Sequence, residues 1–147
     1  MSKLSTFLSY RTGDQIRLLS AVGLLLSLPT VVSTAQFART RTRLLWMSER
    51  VGRLVPGNPT PERIVQTIEV VDRALPGERT CLVRSLTAET LLRLYDYRPI
   101  HRIGVEKESD QVKAHSWLEH QGEILIGDLD DLSRYEALPP LNDGGTL

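Results

Sequence analysis

No charged residue occurs between Arg17 and Arg39. An uncharged run of that length has to be buried, lie against a membrane or be cleaved away, so it constrains the fold more than any other feature of the chain. Its densest part, Leu18 to Val32, reads LLSAVGLLLSLPTVV. A membrane-spanning helix needs about 20 mainly apolar residues. Here Pro29 falls near the middle of the run, and Ser33, Thr34 and Gln36 dilute its end. A signal peptide would use Lys3, Arg11 and Arg17 ahead of the run and the small residues Ser33-Thr34-Ala35 behind it. However, Asp14 interrupts the basic region and nothing downstream looks secreted. Thr12 and Gln15 form a capping-box pair of the kind that opens an ordinary helix. The run therefore reads as a core helix. A membrane-surface or partner-facing helix is the second reading, and a targeting segment the third.

The remaining composition is that of one soluble domain. The chain has 147 residues, 41% hydrophobic and 24% charged, which excludes bulk disorder, collagen-like repeats and disulfide scaffolds. Basic and acidic residues number 18 each, so net charge gives no argument for nucleic acid as a partner. The balance is uneven along the chain: residues 1–80 carry 11 basic and 6 acidic side chains, residues 81–147 carry 7 and 12. Oppositely biased solvated faces explain this split most simply, with a basic partner-facing surface as the alternative. Cys81 is the single cysteine and can form no internal disulfide, so a cytoplasmic location is expected.

Local signals divide the chain into helices followed by strands, an α+β order. A first helix is expected over Gly13 to Leu28, ending before Pro29. A second spans about Val31 to Leu54. After the breaker Pro56-Gly57-Asn58-Pro59, Thr60 sits at an N-cap with Pro61 at the first helical position and Glu62 in the first turn. Ile64, Ile68, Val71 and Leu75 then mark an amphipathic helix that Pro76-Gly77 ends. The next helix starts near Thr80 or Cys81 and runs to about Tyr95, burying Leu82, Leu86, Leu91, Leu92 and Tyr95. Strands are expected at 102–106, 114–120 and 123–127, the last two joined by a Gln121-Gly122 hairpin turn. The expected organisation is a helical region over 1–55 packed on a core over 56–138, with a loose tail over 139–147.

Cys81 at a helix start faces free backbone N–H groups and the positive end of the helix dipole, which favour thiolate and oxyanion alike. A thiol nucleophile needs a base, and the base an orienting group. With Gln121 and Gly122 as the two loop residues, His120 faces Glu123 and His115 faces Asp128, close enough for a carboxylate to fix the imidazole tautomer. Asp130 and Asp131 are rivals beyond the strand end. His120 reads as solvated and His101 as structural or surface. Trp117 shares a strand face with His115 and Glu119 and reads as a wall residue. Arg84, three residues after Cys81, either positions an anion or pairs with an acid. Cys81, His101, His115 and His120 have no zinc-type spacing, and no glycine-rich nucleotide loop exists, so no metal or other cofactor is expected.

CLVRSLTAETLLRL, Ile103-Gly104-Val105, Ala114-His115-Ser116-Trp117-Leu118-Glu119 and Gly127-Asp128 occur in that order. The series resembles the transglutaminase-like cysteine peptidases that mature lasso peptides. Ser116 stands where family members often have Ala, and Asp96-Tyr97-Arg98 where a glycine-containing turn is expected. The resemblance implies a papain/transglutaminase-like core, with a Cys-bearing helix packed on a small antiparallel sheet. It implies Cys81 as nucleophile, His115 as general base and acid, and Asp128 as orienter. It also implies removal of the leader from a precursor peptide, delivery of the leader by a recognition domain that is fused or separate, here expected as a separate protein, and an ATP-dependent cyclase as a further partner. A transglutaminase-type acyltransferase and a non-catalytic peptide-binding module are the alternatives on the same fold.

Overall fold

The structure, a computed structural model, describes residues 3–34, 36–106, 111 and 113–141. Its elements are α1 (Lys3–Leu8), α2 (Thr12–Thr34), α3 (Phe37–Val51), α4 (Pro61–Ala74), α5 (Cys81–Leu94), β1 (Ile100–Glu106), β2 (Lys113–His120), β3 (Glu123–Ile126) and β4 (Tyr135–Ala137). Short 3-10 turns at Gly52–Leu54 and Leu132–Arg134 follow α3 and precede β4. The strands form one antiparallel sheet in the order β3-β2-β1-β4. The fold is α+β, as the order of sequence signals implies.

The helix starts at α4 and α5 follow from local chemistry. The hydroxyl oxygens of Thr60 and Thr80 accept the N–H groups of Arg63 and Val83, closing one orphan donor at each N-terminus. Apolar faces then select what packs. Ala21, Leu25 and Leu28 of α2, Ile64, Val65 and Ile68 of α4, and Leu86, Leu91 and Leu92 of α5 join Leu118 and Ile126 of the sheet in one core. Each fully buried aliphatic side chain contributes on the order of 1.5–3 kcal/mol. Since α2 lies in that core, the N-terminal helices and the sheet share one hydrophobic interior. α5 is enclosed on every side, buried from Ser85 through Arg93, because helices flank it on one side and the sheet on the other.

Three expectations are corrected. The first helix passes through Pro29 and ends at Thr34. Proline removes one backbone bond, but burial of Leu25 and Leu28 before it and packing of Val32 on the core after it hold the helix in place. α3 accordingly begins at Phe37, later than expected. Second, β1 starts at Ile100, so His101 belongs to it. Third, Tyr135–Ala137 adds an unforeseen edge strand. The expected tail beyond 141 lies outside the described residues.

α2 carries no charge after Arg17, and apolar side chains lie on both its buried and its exposed sides. One side fills the core, while Leu19, Leu26 and Val31 are exposed. Over Thr12–Val32 it is long and apolar enough to cross a membrane by length and composition. After α5, Asp96 takes φ 66° at the expected glycine position. Asp tolerates this left-handed conformation better than most side chains.

Candidate active site

Cys81 is the first residue of α5 and is half-buried. Thr80 caps the helix, accepting Val83 N–H through its side chain and Arg84 N–H through its carbonyl. Among the described residues, the N–H groups of Cys81 and Leu82 are left as the open donors of this helix end. The loop before Cys81 is held by Arg79. Its guanidinium pairs with the Asp72 carboxylate and donates to the carbonyls of Asp72, Leu75, Pro76 and Gly77. Asp72 also pairs with Arg84 at 3.3 Å. This decides between the two readings of Arg84 in favour of an acid partner. Nothing in the sequence pattern marked Arg79, whose role depends on the carbonyls that α4 leaves open at its C-terminus.

β2 supplies the imidazole. Ser85, one helical turn (~6 Å) beyond Cys81, donates its hydroxyl to the carbonyl of Ser116 at 3.1 Å. Ser116 directly follows His115, about 3.3 Å along the strand. This bond brings the starts of α5 and β2 to the same end of the molecule. Ser116 and Leu118 face α5, so strand alternation turns His115 and Trp117 to the other face. There the His115 and Trp117 rings stack at 6.1 Å, and Tyr135 lies 5.5 Å from His115. The Trp117 indole N–H donates to Glu119 at 3.0 Å, completing the shared face expected for 115, 117 and 119.

Two glycines clear space for this wall. A Cβ on Gly104 would lie 2.9 Å from the Trp117 ring, and one on Gly127 would lie 2.6 Å from the Ser116 carbonyl. Gly127 also has φ +88°, which turns the chain out of β3.

The hairpin turn is as expected, with Gln121 and Gly122 at φ 51° and 81°. His120 pairs with Glu123 and Glu119 with Ile124. A bulge between Leu118 and Glu119 then shifts the register by one, so Leu118 pairs with Ile126. The expected facing of His115 and Asp128 therefore does not hold. Instead His115 Nε2 lies 2.6 Å from the Gly127 carbonyl oxygen. A carbonyl only accepts, so Nε2 carries a proton toward Gly127, and Nδ1 is the ring nitrogen left to exchange a proton with a neighbour. Asp128 is the next residue and is exposed. Asp130 and Asp131 are exposed too, and Asp131 pairs with Arg134 at 2.6 Å. No hydrogen bond joins Cys81 to His115 among the described residues.

The other face of the sheet holds a second imidazole. His101 is fully buried, its Nδ1 2.6 Å from Glu89 and its Nε2 2.7 Å from Ser116 Oγ. Glu89 in turn accepts from Arg41 of α3, with Nε at 3.0 Å. Burial opposes ionisation of Glu89. Hydrogen bonds and charge from His101 and Arg41 outweigh it and hold the carboxyl below the usual range. His101 is thus structural, as one of its two readings had it, and internal. Its partners stand far away in sequence, which is why no motif announced them. Among the described residues, no cluster of His, Cys, Asp and Glu is arranged to hold a metal ion.

A capped helix with Cys81 at its start thus packs on a small antiparallel sheet that carries His115. The transglutaminase-like superfamily matches residues 24–139, and the chain belongs to that superfamily. The superfamily generally contains cysteine peptidases and acyltransferases. The match begins inside α2 and ends just past β4, so it takes in helices as well as the sheet. No curated protein and no solved structure matches the chain significantly.

Proposed function

We propose that this chain is a cysteine peptidase that removes the leader from a ribosomally made lasso peptide precursor. The observation that carries the reading is the placement of Cys81 at the capped start of α5 and of His115 on the strand to which Ser85 of that helix is bonded through Ser116, in a chain of this superfamily. Four ordered sequence motifs, from CLVRSL to Gly127-Asp128, narrow it to lasso peptide maturation.

In this mechanism Nδ1 of His115 accepts the Cys81 proton, and the thiolate attacks the carbonyl of the leader–core amide. The open N–H groups of Cys81 and Leu82 receive the developing oxyanion. His115 then protonates the leaving core amine, giving a thioacyl-enzyme, and activates the water that releases the leader. The Gly127 carbonyl orients His115, and Asp128 offsets the imidazolium charge from the next position. Nucleophile–base pairs in unliganded enzymes are often long and tighten with substrate bound. The freed amine passes to a separate ATP-dependent cyclase, and a separate recognition protein delivers the leader. Processing of a fresh ribosomal product places the reaction in the cytoplasm.

The test is mass spectrometry of a precursor peptide incubated with this protein and its recognition partner. Wild type releases free leader and free core, and Cys81→Ala leaves the precursor whole. Cleavage by Cys81→Ala at the wild-type rate would remove the nucleophile. A leader joined to an added amine would identify an acyltransferase.

A further inference from the structure

Four side chains form an unbroken buried line from α3 to β2. Arg41 donates to Glu89, Glu89 accepts from His101 Nδ1, and Ser116 Oγ lies 2.7 Å from His101 Nε2. Since the Glu89 carboxylate only accepts, Nδ1 of His101 carries a proton toward it, and Nε2 shares the second hydrogen bond with the Ser116 hydroxyl. This is the connectivity of a hydroxyl–imidazole–carboxylate triad. Yet Ser116 is 2% exposed and His101 and Glu89 are both 0% exposed, so no substrate reaches the hydroxyl. The edge of the Phe37 ring packs against His101 and closes that side.

What the line touches gives its role. Glu89 and Ser85 are on the helix that begins with Cys81, and Ser116 is the residue after His115. Ser116 is gripped twice, its carbonyl by Ser85 and its hydroxyl by His101. A slip of one residue along a strand exchanges its two faces, and β2 already contains a bulge two residues further on. Holding Ser116 inward therefore fixes the face on which His115 emerges, and fixes it relative to α5.

We propose that Glu89, His101 and Ser116 are positioning residues, which set His115 against Cys81 by pinning the register of β2. The inference rests on the Cys81–His115 reading and deepens it. A displacement of about 1 Å in such a pair can cost on the order of 100-fold in rate, so a buried anchor one residue away carries functional weight.

The test is the rate of Cys81 alkylation by iodoacetamide at pH 7 in the full chain, with and without His115→Ala. The comparison is made in three backgrounds: wild type, Ser116→Ala and Glu89→Gln. In the wild-type background His115→Ala slows alkylation by about tenfold or more, through loss of the activating base. In Ser116→Ala and Glu89→Gln the same substitution has an effect of about threefold or less, because His115 is already displaced. Such non-additivity is the mark of residues acting as one unit. Ser116→Ala is a small deletion that keeps the fold, and it decides alone if Glu89→Gln does not fold. An equal effect of His115→Ala in every background would overturn the positioning role while leaving the Cys–His pair standing. No effect in any background would overturn the pair itself, and the inference with it.

Discussion

His101 and His115 sit on opposite faces of the same four-stranded sheet, and they show how differently one side chain can be used. His101 is sealed under α5 and held at both nitrogens by side chains, one of them a carboxylate already paired with Arg41. His115 is half-buried and held at one nitrogen by a backbone carbonyl, with the other left for chemistry. A His–acid contact is therefore a poor guide to a reactive centre in this chain. The better His–acid pair is the structural one, and the histidine with spare capacity is the one with an accessible face.

The sharpest way to break this contrast is to remove a carboxylate from each face. Glu89→Ala leaves Arg41 and His101 without their buried acceptor, and loss of one partner of a buried pair costs roughly 3–5 kcal/mol. Asp128→Ala, at an exposed position, stays within about 0.5 kcal/mol of wild type. Urea unfolding of both variants reads the difference, and equal losses would erase the distinction.

Acid titration sharpens the same point. The folded carboxyl of Glu89 lies below its unfolded value, so its contribution is present at neutral pH, above the unfolded value near ~4.3. It is lost as pH falls from there through the lower folded value. Stability measured from pH 7 to pH 2 should decline less steeply in Glu89→Gln than in wild type. Parallel curves would contradict the assignment.

On the open face, Gly104→Ala would put a Cβ 2.9 Å from the Trp117 ring. Overpacking of this kind costs about 1–3 kcal/mol, and it disturbs the wall that stacks on His115. Thermal unfolding should show the loss, and Cys81 alkylation should slow with it.

The smallest effect compares two helix caps. Thr60→Ala and Thr80→Ala each remove one side-chain cap bond, at about 1 kcal/mol. Both lower the unfolding midpoint alike, but only Thr80→Ala changes the alkylation rate of Cys81, because only that cap shapes the helix start where Cys81 sits.

The Thr60 cap and the helix start near Thr80 were legible in the sequence because their chemistry is local. Thr60-Pro61-Glu62, Pro76-Gly77 and Gln121-Gly122 act through neighbours in the chain, and each produced the expected boundary. The α+β order and the position of Cys81 at a helix start followed from them. The passage of α2 through Pro29 was not legible, since packing of Leu25 and Leu28 overrides a local breaker. The bulge at Leu118 and Glu119 depends on how Leu118 seats in the core, and a register count from the turn cannot see it. That one residue moved the partner of His115 from the Asp128 side chain to the Gly127 backbone. The Arg41–Glu89–His101–Ser116 line spans four elements and leaves no periodic trace.

The central claim is that Cys81 is the nucleophile, and intact-protein mass spectrometry during turnover tests it most directly. The protein is quenched in acid seconds after mixing with precursor peptide and recognition partner. The account predicts an adduct on Cys81 with the mass of the leader less one water, present in wild type and missing in Cys81→Ala. Release of leader and core by Cys81→Ala at the wild-type rate, with no adduct on any residue, would contradict it.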